Sequence, residues 1–276
     1  AAGRKYYDIL TTDSKVRDRF EVDCDLFVTL IQIISCDQTK ADNAEEYEQE
    51  VLRRIEWTER EMEKHDILAD HKIWYEWLML AKRLNMPSIT DRILRKMDAF
   101  TNNVRYFEFN MHLLQALVEA LYANNEMEKA LAFYDKYYRD IKLFSHWHLK
   151  VTGQKEIDFH GFRAGFACVA LQWILQNEYP PLNISKYLLE KYGNENPNIH
   201  LIIGQGHHNR EGESKLYKKI SKFIDALHPK IQASRYPNNP GQLVLNGDDV
   251  VRWRKYHGHQ VDALEVNKHL RFKLFV

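Results

Sequence analysis

The apolar residues of this chain change period part-way along it. From Asp25 to about Arg139 they recur every three or four positions with few Gly or Pro between them; after "HWHLKVTGQK" they gather into short runs bounded by turn residues. A three-to-four period buries one stripe of a helix, whereas a short apolar run between turn signals fits a strand. No single repeating architecture holds both patterns. The expected fold is therefore multidomain α+β, with a helical part over residues 1–149 and an α/β part with a C-terminal extension over 150–276.

In the first part, six segments are each about one helix long: "LFVTLIQIIS", "AEEYEQEVLRRIEWTEREMEKH", "KIWYEWLMLAKRLN", "ITDRILRKMDAFTNN", "HLLQALVEALYANN" and "MEKALAFYDKYYRDI". Short polar breaks such as "NMPS" and "ANNE" separate them, which predicts helical hairpins stacked as an α-solenoid. Trp74, Tyr75 and Trp77 lie at helical spacing, so they belong either to a core or to an exposed binding stripe, and that spacing favours a core. In the second part the order of elements reads β-α-β-α-β-β. The strands are "EIDF", "IHLIIG", "IQASRYP" and "GQLVLNG", the last two joined by the turn "NNPG". The helices are "GFACVALQWILQNEY" and "ESKLYKKISKFIDALH", with "LNISKYLLEKYG" a further helix before the second strand and "DDVVRWRKYHG" a capped helix after the last. The tail 257–276 has no assigned partner.

Charge divides along the same border. Lys+Arg and Asp+Glu are equal at 39 each over all 276 residues. Residues 1–149 nevertheless hold 21 basic against 27 acidic residues, and residues 150–276 hold 18 against 12, with eight of the 13 histidines. A polyanion is attracted to the second part and weakly repelled by the first, which predicts an acidic helical half that meets proteins and a basic half that meets nucleic acid. The three cysteines, Cys24, Cys36 and Cys168, match no zinc spacing and are expected reduced and buried. The longest nearly apolar stretch, "LFVTLIQII", is too short to span a bilayer, and "AAGRKYYDIL" has neither a secretory nor a transit-peptide composition, so no membrane partner is expected.

Two strings carry the chemistry: "DFHG" at 158–161 and "GQGHHN" at 204–209. The i, i+2 spacing of Asp158 and His160 at a strand end puts both side chains on one face, and Gly161 lets the chain turn beneath them. A carboxylate there can fix the imidazole tautomer for proton transfer, or Asp158 can cap the following turn while His160 bonds backbone. The second string is no Walker loop, because no Gly-Lys-Ser/Thr follows, and no dinucleotide fingerprint, because the third Gly is misplaced. Adjacent His207 and His208 rarely share one metal, so no metal site and no cofactor are expected, beyond a divalent ion should the protein be a nuclease. What remains is phosphate-backbone recognition. Gly204 and Gly206 expose amides, the helix beginning near Ser214 offers its positive end, and His207, His208, Asn209, Arg210, Lys215, Lys218, Lys219 and Lys222 add donors and cations.

These motifs resemble known families. The region of about residues 154–246 resembles a small MutS-related (Smr) domain, which opens on a strand ending Asp-Leu-His-Gly, continues in a helix with a small Ala, here Ala167, and later carries Thr-Gly-x-Gly-x-His-Ser between strand and helix. Here Ile203 stands for the Thr and Asn209 for the Ser, so two hydroxyls are missing. The pair "LLQALVEALYANNEMEKALAFYDKYYRDIKL" resembles a pentatricopeptide repeat, with Asn124 and Asn125 at the turn and Ala130 early in the second helix; "IWYEWLMLAKRLNMPSITDRILRKM" fits more loosely, with Pro87 and Thr90 off-pattern. The two together resemble the organellar PPR-SMR proteins. The resemblance implies an Smr-like α/β sandwich, an RNA partner (ribosomal RNA or an organellar transcript), a mitochondrial or alternatively plastid location, and action in RNA processing or translation. Alternatives are an accessory subunit of the organellar ribosome and an active endonuclease centred on Asp158 and His160. The lost hydroxyls and the lack of an acidic cluster for two metals point to weak or absent cleavage. By the same resemblance the base-facing positions of the repeats fall on Tyr75 and Gln115, neither a small polar residue.

Overall fold

The computed structural model describes residues 23–36, 44–103, 111–140, 155–177, 198–204 and 214–257. The chain is α+β: a mostly helical N-terminal region is followed by a mixed four-stranded sheet with interleaved helices. Two compact units are present, Ala1–Ala130 and Leu131–Val276. The predicted helix at 182–193 and the tail from 258 lie outside the described residues.

The first unit contains α1 (Cys24–Cys36), α2 (Ala44–Lys64), α3 (His71–Leu84), α4 (Pro87–Asn103), α5 (Met111–Ala123) and the start of α6 (Met127–Asp140). Each predicted helix is found within a few residues of its expected bounds. Asp70 starts α3: its Oδ1 accepts from the N–H groups of Lys72 and Ile73 at 2.9 and 3.0 Å, satisfying two amides that have no partner inside the helix. Left-handed residues end the helices. Asp66 (φ 56°), Asn85 (φ 52°) and Asn125 (φ 60°) close α2, α3 and α5, and the amides of Ile67 and Glu126 reach back to the carbonyls of Met62 and Leu121 in the Schellman pattern. These tight turns end α2, α3 and α5 within a few residues.

Helix α3 packs on α1, α4 and α5. It buries Ile73, Trp74, Trp77, Leu78, Leu80 and Ala81, so Trp74 and Trp77 are core residues and Tyr75 is half-buried. Every residue from Leu113 to Leu121 of α5 is buried, as expected of a helix enclosed on all sides. Its Glu119 is neutralised by Lys82 of α3. Between α2 and α4, Arg92 grips Glu59 through two nitrogens at 2.7 and 3.3 Å and Glu56 through a third at 3.1 Å; the Glu59 bonds chiefly raise the guanidinium pKa above its ordinary value.

In the second unit β1 (Lys155–Asp158) pairs in parallel with β2 (Ile199–Ile202), and β4 (Asn239–Leu245) runs antiparallel between β2 and β3 (Ala233–Tyr236). Strands β1, β2 and β3 therefore share one direction. The crossovers through α7 (Ala164–Asn177) and α8 (Lys215–Asp225) step the same way across the sheet, and right-handed crossovers of that kind place both helices on one face. The two helices do pack together. Register puts Ile157, Leu201 and Leu243 on one face, all buried, and Asp158, Ile202 and Gln242 on the other. Helix α9, residues 247–257, follows β4; Asn246 Oδ1 accepts from the Asp249 amide at 3.0 Å, and Val250 and Trp253 are buried.

Two details depart from the sequence reading. The hairpin turns at residues 237–238 rather than over "NNPG", because β4 already begins at Asn239, whose Oδ1 accepts from Gly241 N at 3.0 Å, and the register shift between Arg235 and Tyr236 accommodates Pro240. Cys168 is buried as expected, whereas Cys24 is half-buried; both are free thiols. Residues of α6 beyond Ala130 belong to the second unit, where Tyr134 lies 5.4 Å from the Phe166 ring and 5.6 Å from the Trp173 ring, and Asp135 accepts from Trp173 Nε1 at 3.0 Å.

Asn124 ties the first unit together. Its buried Nδ2 donates to Thr90 Oγ1 of α4 at 2.9 Å and to the Ala120 carbonyl of α5 at 2.8 Å, and stands 3.5 Å from the Ala81 carbonyl of α3. Asn124→Ala leaves those oxygens short of a donor and is expected to cost about 1–3 kcal/mol in urea unfolding. Asn124→Asp, which turns a carboxylate toward three acceptors, should be the more damaging of the two.

Candidate nucleic-acid interface

Strands β1 and β2 end side by side, with Asp158 opposite Ile202. The Phe159 amide then donates to the Ile202 carbonyl at 2.9 Å, and the Ile203 amide to the Gly241 carbonyl at 2.8 Å, so the two chains leave the sheet together. Phe159 and Ile203 are buried, at 0% and 3% exposure, and pin this edge from within. Both following helices start from the same edge. The carboxyl ends of parallel strands, where helix amino termini converge, are where α/β sheets bind ligands.

Asp158 and His160 are exposed and paired. Asp158 Oδ1 accepts from the His160 amide at 2.8 Å and lies 2.8 Å from His160 Nδ1. A carboxylate only accepts, so Nδ1 is the ring nitrogen that donates to it, leaving Nε2 directed away from Asp158. Both expected roles thus meet in one arrangement: the carboxylate caps the turn and fixes the tautomer. Gly161 (φ 77°) and the bond from the Phe162 amide to the Phe159 carbonyl at 3.0 Å close that turn.

The two motifs touch. Gly204 has φ 72°, and a Cβ placed on it would stand 3.2 Å from His160 Nε2 and 3.6 Å from Cδ2. The imidazole therefore borders the space that a side chain at 204 would fill, a proximity that spacing along the chain could not give. Beyond this turn, Ser214 caps α8: it is buried, its Oγ donates to the Ile203 carbonyl and accepts from the Tyr217 amide, both at 3.4 Å. Lys215, Lys218, Lys219 and Lys222 recur at helical spacing on one face of α8 and are all exposed, opposite buried Ile220 and Ile224. Gly206, His207, His208, Asn209 and Arg210 lie outside the described residues.

Other features sort themselves by position. Sequence reasoning overlooked His200, which is buried on the sheet face that carries Asp158, 3.2 Å from Gln242 Nε2 and edge-on to the Tyr236 ring at 5.5 Å. The alternation in "IHLI" was the available signal. In the first unit Gln115 is buried at 6% exposure, which takes it off the surface, and Tyr75 lines an open depression with His71, Lys72, Glu76 and His112. Among the described residues no three His, Cys, Asp or Glu side chains gather as metal ligands, and no helix is long and apolar enough to cross a membrane. The Cys24 thiol is pushed up from its ordinary pKa by burial first, then by Asp70, Asp23 and Asp25, which disfavours the nucleophilic thiolate.

The sequence matches no protein-family model, and no curated protein matches it significantly.

The two glycines make different demands. Gly161→Ala meets nothing within 4 Å and carries only the backbone strain, whereas Gly204→Ala adds a clash with the His160 ring. Each should lose about 1–3 kcal/mol of stability from its positive φ. Thermal melts should rank Gly204→Ala as the worse, and of the two it should shift the His160 Nε2 and Cδ2 resonances more in NMR spectra.

Proposed function

We propose that the chain is an RNA-binding protein of the PPR-SMR type, acting in organellar RNA processing or translation, and that its Smr-like α/β unit grips the sugar-phosphate backbone. On this reading the N-terminal hairpins form a short pentatricopeptide-like solenoid whose acidic surface meets proteins. The contact of His160 with the Gly204 turn carries the proposal: it assembles the two family motifs at the carboxyl edge of the parallel strands, beside the amino terminus and exposed lysine face of α8. A phosphate approaching that edge would meet backbone amides, the positive end of a helix dipole and a row of cations, none of which reads sequence. The mitochondrial location, with the plastid as alternative, rests on the resemblance.

Binding is favoured over cleavage. Asp158 spends its Oδ1 on the His160 turn, and the position where Smr domains carry Thr holds buried Ile203, so the edge keeps its backbone geometry with one hydroxyl fewer. The same feature supports the second reading, an accessory subunit packed on ribosomal RNA, since a static contact needs no proton transfer.

Filter binding of a single-stranded oligoribonucleotide across a salt series tests the proposal. Affinity should fall linearly on a log–log plot. Replacing Lys215, Lys218, Lys219 and Lys222 by Ala should flatten the slope by about 0.7 for each lysine that touches a phosphate. Nicking by wild type, Asp158→Ala and His160→Ala should be equally slow; a rate that drops only in the variants would restore the endonuclease reading. No binding by the wild type at low salt would remove the proposal.

A further inference from the structure

We propose that α9, together with the segment that follows α8, forms a second RNA contact: a base-stacking platform centred on Tyr256. This rests on the RNA-binding reading and adds a place where a base, rather than a phosphate, is held.

Among the described residues Tyr256 and Leu68 are the large hydrophobic side chains left exposed, Tyr256 at 51%. Its ring is nonetheless firmly framed. His228 meets it at 5.4 Å with an interplanar angle of 87°, and His257 at 5.1 Å with an angle of 80°. His257 is itself fixed, because its Nε2 donates to the His228 carbonyl at 2.6 Å and its ring lies 4.4 Å from that of Trp253, which is 2% exposed. A half-exposed aromatic ring held by neighbours loses little freedom when a second ring stacks on it, which is what a platform for unpaired bases requires.

The surroundings select the partner. His228, Lys230, Arg252 and Lys255 are exposed on the same helix or on the segment that touches it. Asp249 is turned inward, where it accepts from the Gln232 amide at 2.9 Å and pairs with Arg252; Asp248 and Asp225 are the exposed carboxylates of these turns. A protein hot spot gathers apolar neighbours around its aromatic anchor. Here the ring's neighbours are two imidazoles, with exposed Lys230, Arg252 and Lys255 on the same segments, a combination that suits single-stranded nucleic acid.

Position supports the same partner. Helix α8 starts at Ser214 on the candidate edge and ends at Asp225, with His228 just beyond. Its exposed lysines therefore lead from the Gly204 turn toward the platform, over about 16 Å at 1.5 Å per residue.

The test uses the full chain and a fluorescein-labelled single-stranded oligouridylate, read by anisotropy at fixed low salt. Tyr256→Ala should weaken binding roughly tenfold, the usual effect of losing one stacked base. Tyr256→Phe should bind like wild type, and neither variant should change the salt slope, because no charge is removed. A 4-thiouridine oligonucleotide irradiated with the wild-type chain should cross-link within residues 251–257, a readout that needs no variant. Wild-type affinity in Tyr256→Ala, an equal loss in Tyr256→Phe, or cross-links elsewhere would each overturn the platform, and weakening by the α8 lysine variant would then leave the RNA-binding reading standing. Absence of any wild-type binding would instead end that reading, and the platform with it.

Discussion

The edge of the α/β unit is organised around one approach, that of the His160 imidazole to the Gly204 turn. A Cβ at 204 would crowd that ring at 3.2 Å, and the positive φ there gives the same residue a second reason to be glycine. The approach also brings together the turns that follow two parallel strands. The ring is held from its other side by Asp158, so one imidazole sets the spacing between both motifs. Among the described residues, this part of the edge takes its shape on folding, before any ligand is present.

Charge is used differently in the two units. In the first, several carboxylates of the acidic excess are engaged internally: Glu59 by Arg92 and Lys96, Glu119 by Lys82, Asp91 by Lys129. Glu59 and Glu119 are largely buried, so removing either partner would strand a charge away from water, which makes these pairs determinants of helix packing rather than of surface potential. In the second unit the cations of α8 stand on its exposed face.

Much of this architecture was legible from local chemistry. Asp70 and Ser214 accept amides at helix starts, and Asn85 and Asn125 adopt the left-handed conformation at helix ends, as their residue types foretell. The order β-α-β-α-β-β followed from the change of hydrophobic period. What escaped was every feature set by distant partners. The insertion of β4 between β2 and β3, the capture of Tyr134 and Asp135 by Phe166 and Trp173, and the three-way bond of Asn124 each depend on residues tens of positions away. The amphipathic period of α6 runs unbroken through Ala130, so no local signal marks the border between units there. At the site, the Asp158–His160 pairing was readable from spacing of two, whereas the approach of the ring to Gly204 was not, because it joins separate turns. Gln115 was assigned a base-facing position by the repeat resemblance alone, and its burial depends on the helices that enclose α5, which no local pattern reveals.

If the proposed Smr-like reading holds, Ile203 separates the course of the main chain at this edge from the chemistry of its side chains. Its amide still donates to Gly241 and its carbonyl still receives Ser214, so the main chain keeps the course the motif requires. Its side chain is buried, contributing apolar contact where Smr domains carry a hydroxyl. A catalytic edge needs groups that move protons and groups that stabilise developing charge, whereas a holding edge needs amides, a helix terminus and cations at fixed positions. Every feature of the second kind is independent of residue 203, and those of the first kind are thinned by its identity. On the proposed RNA-binding reading, the side chain at 203 contributes packing and leaves the amides, the helix terminus and the cations of the edge in place.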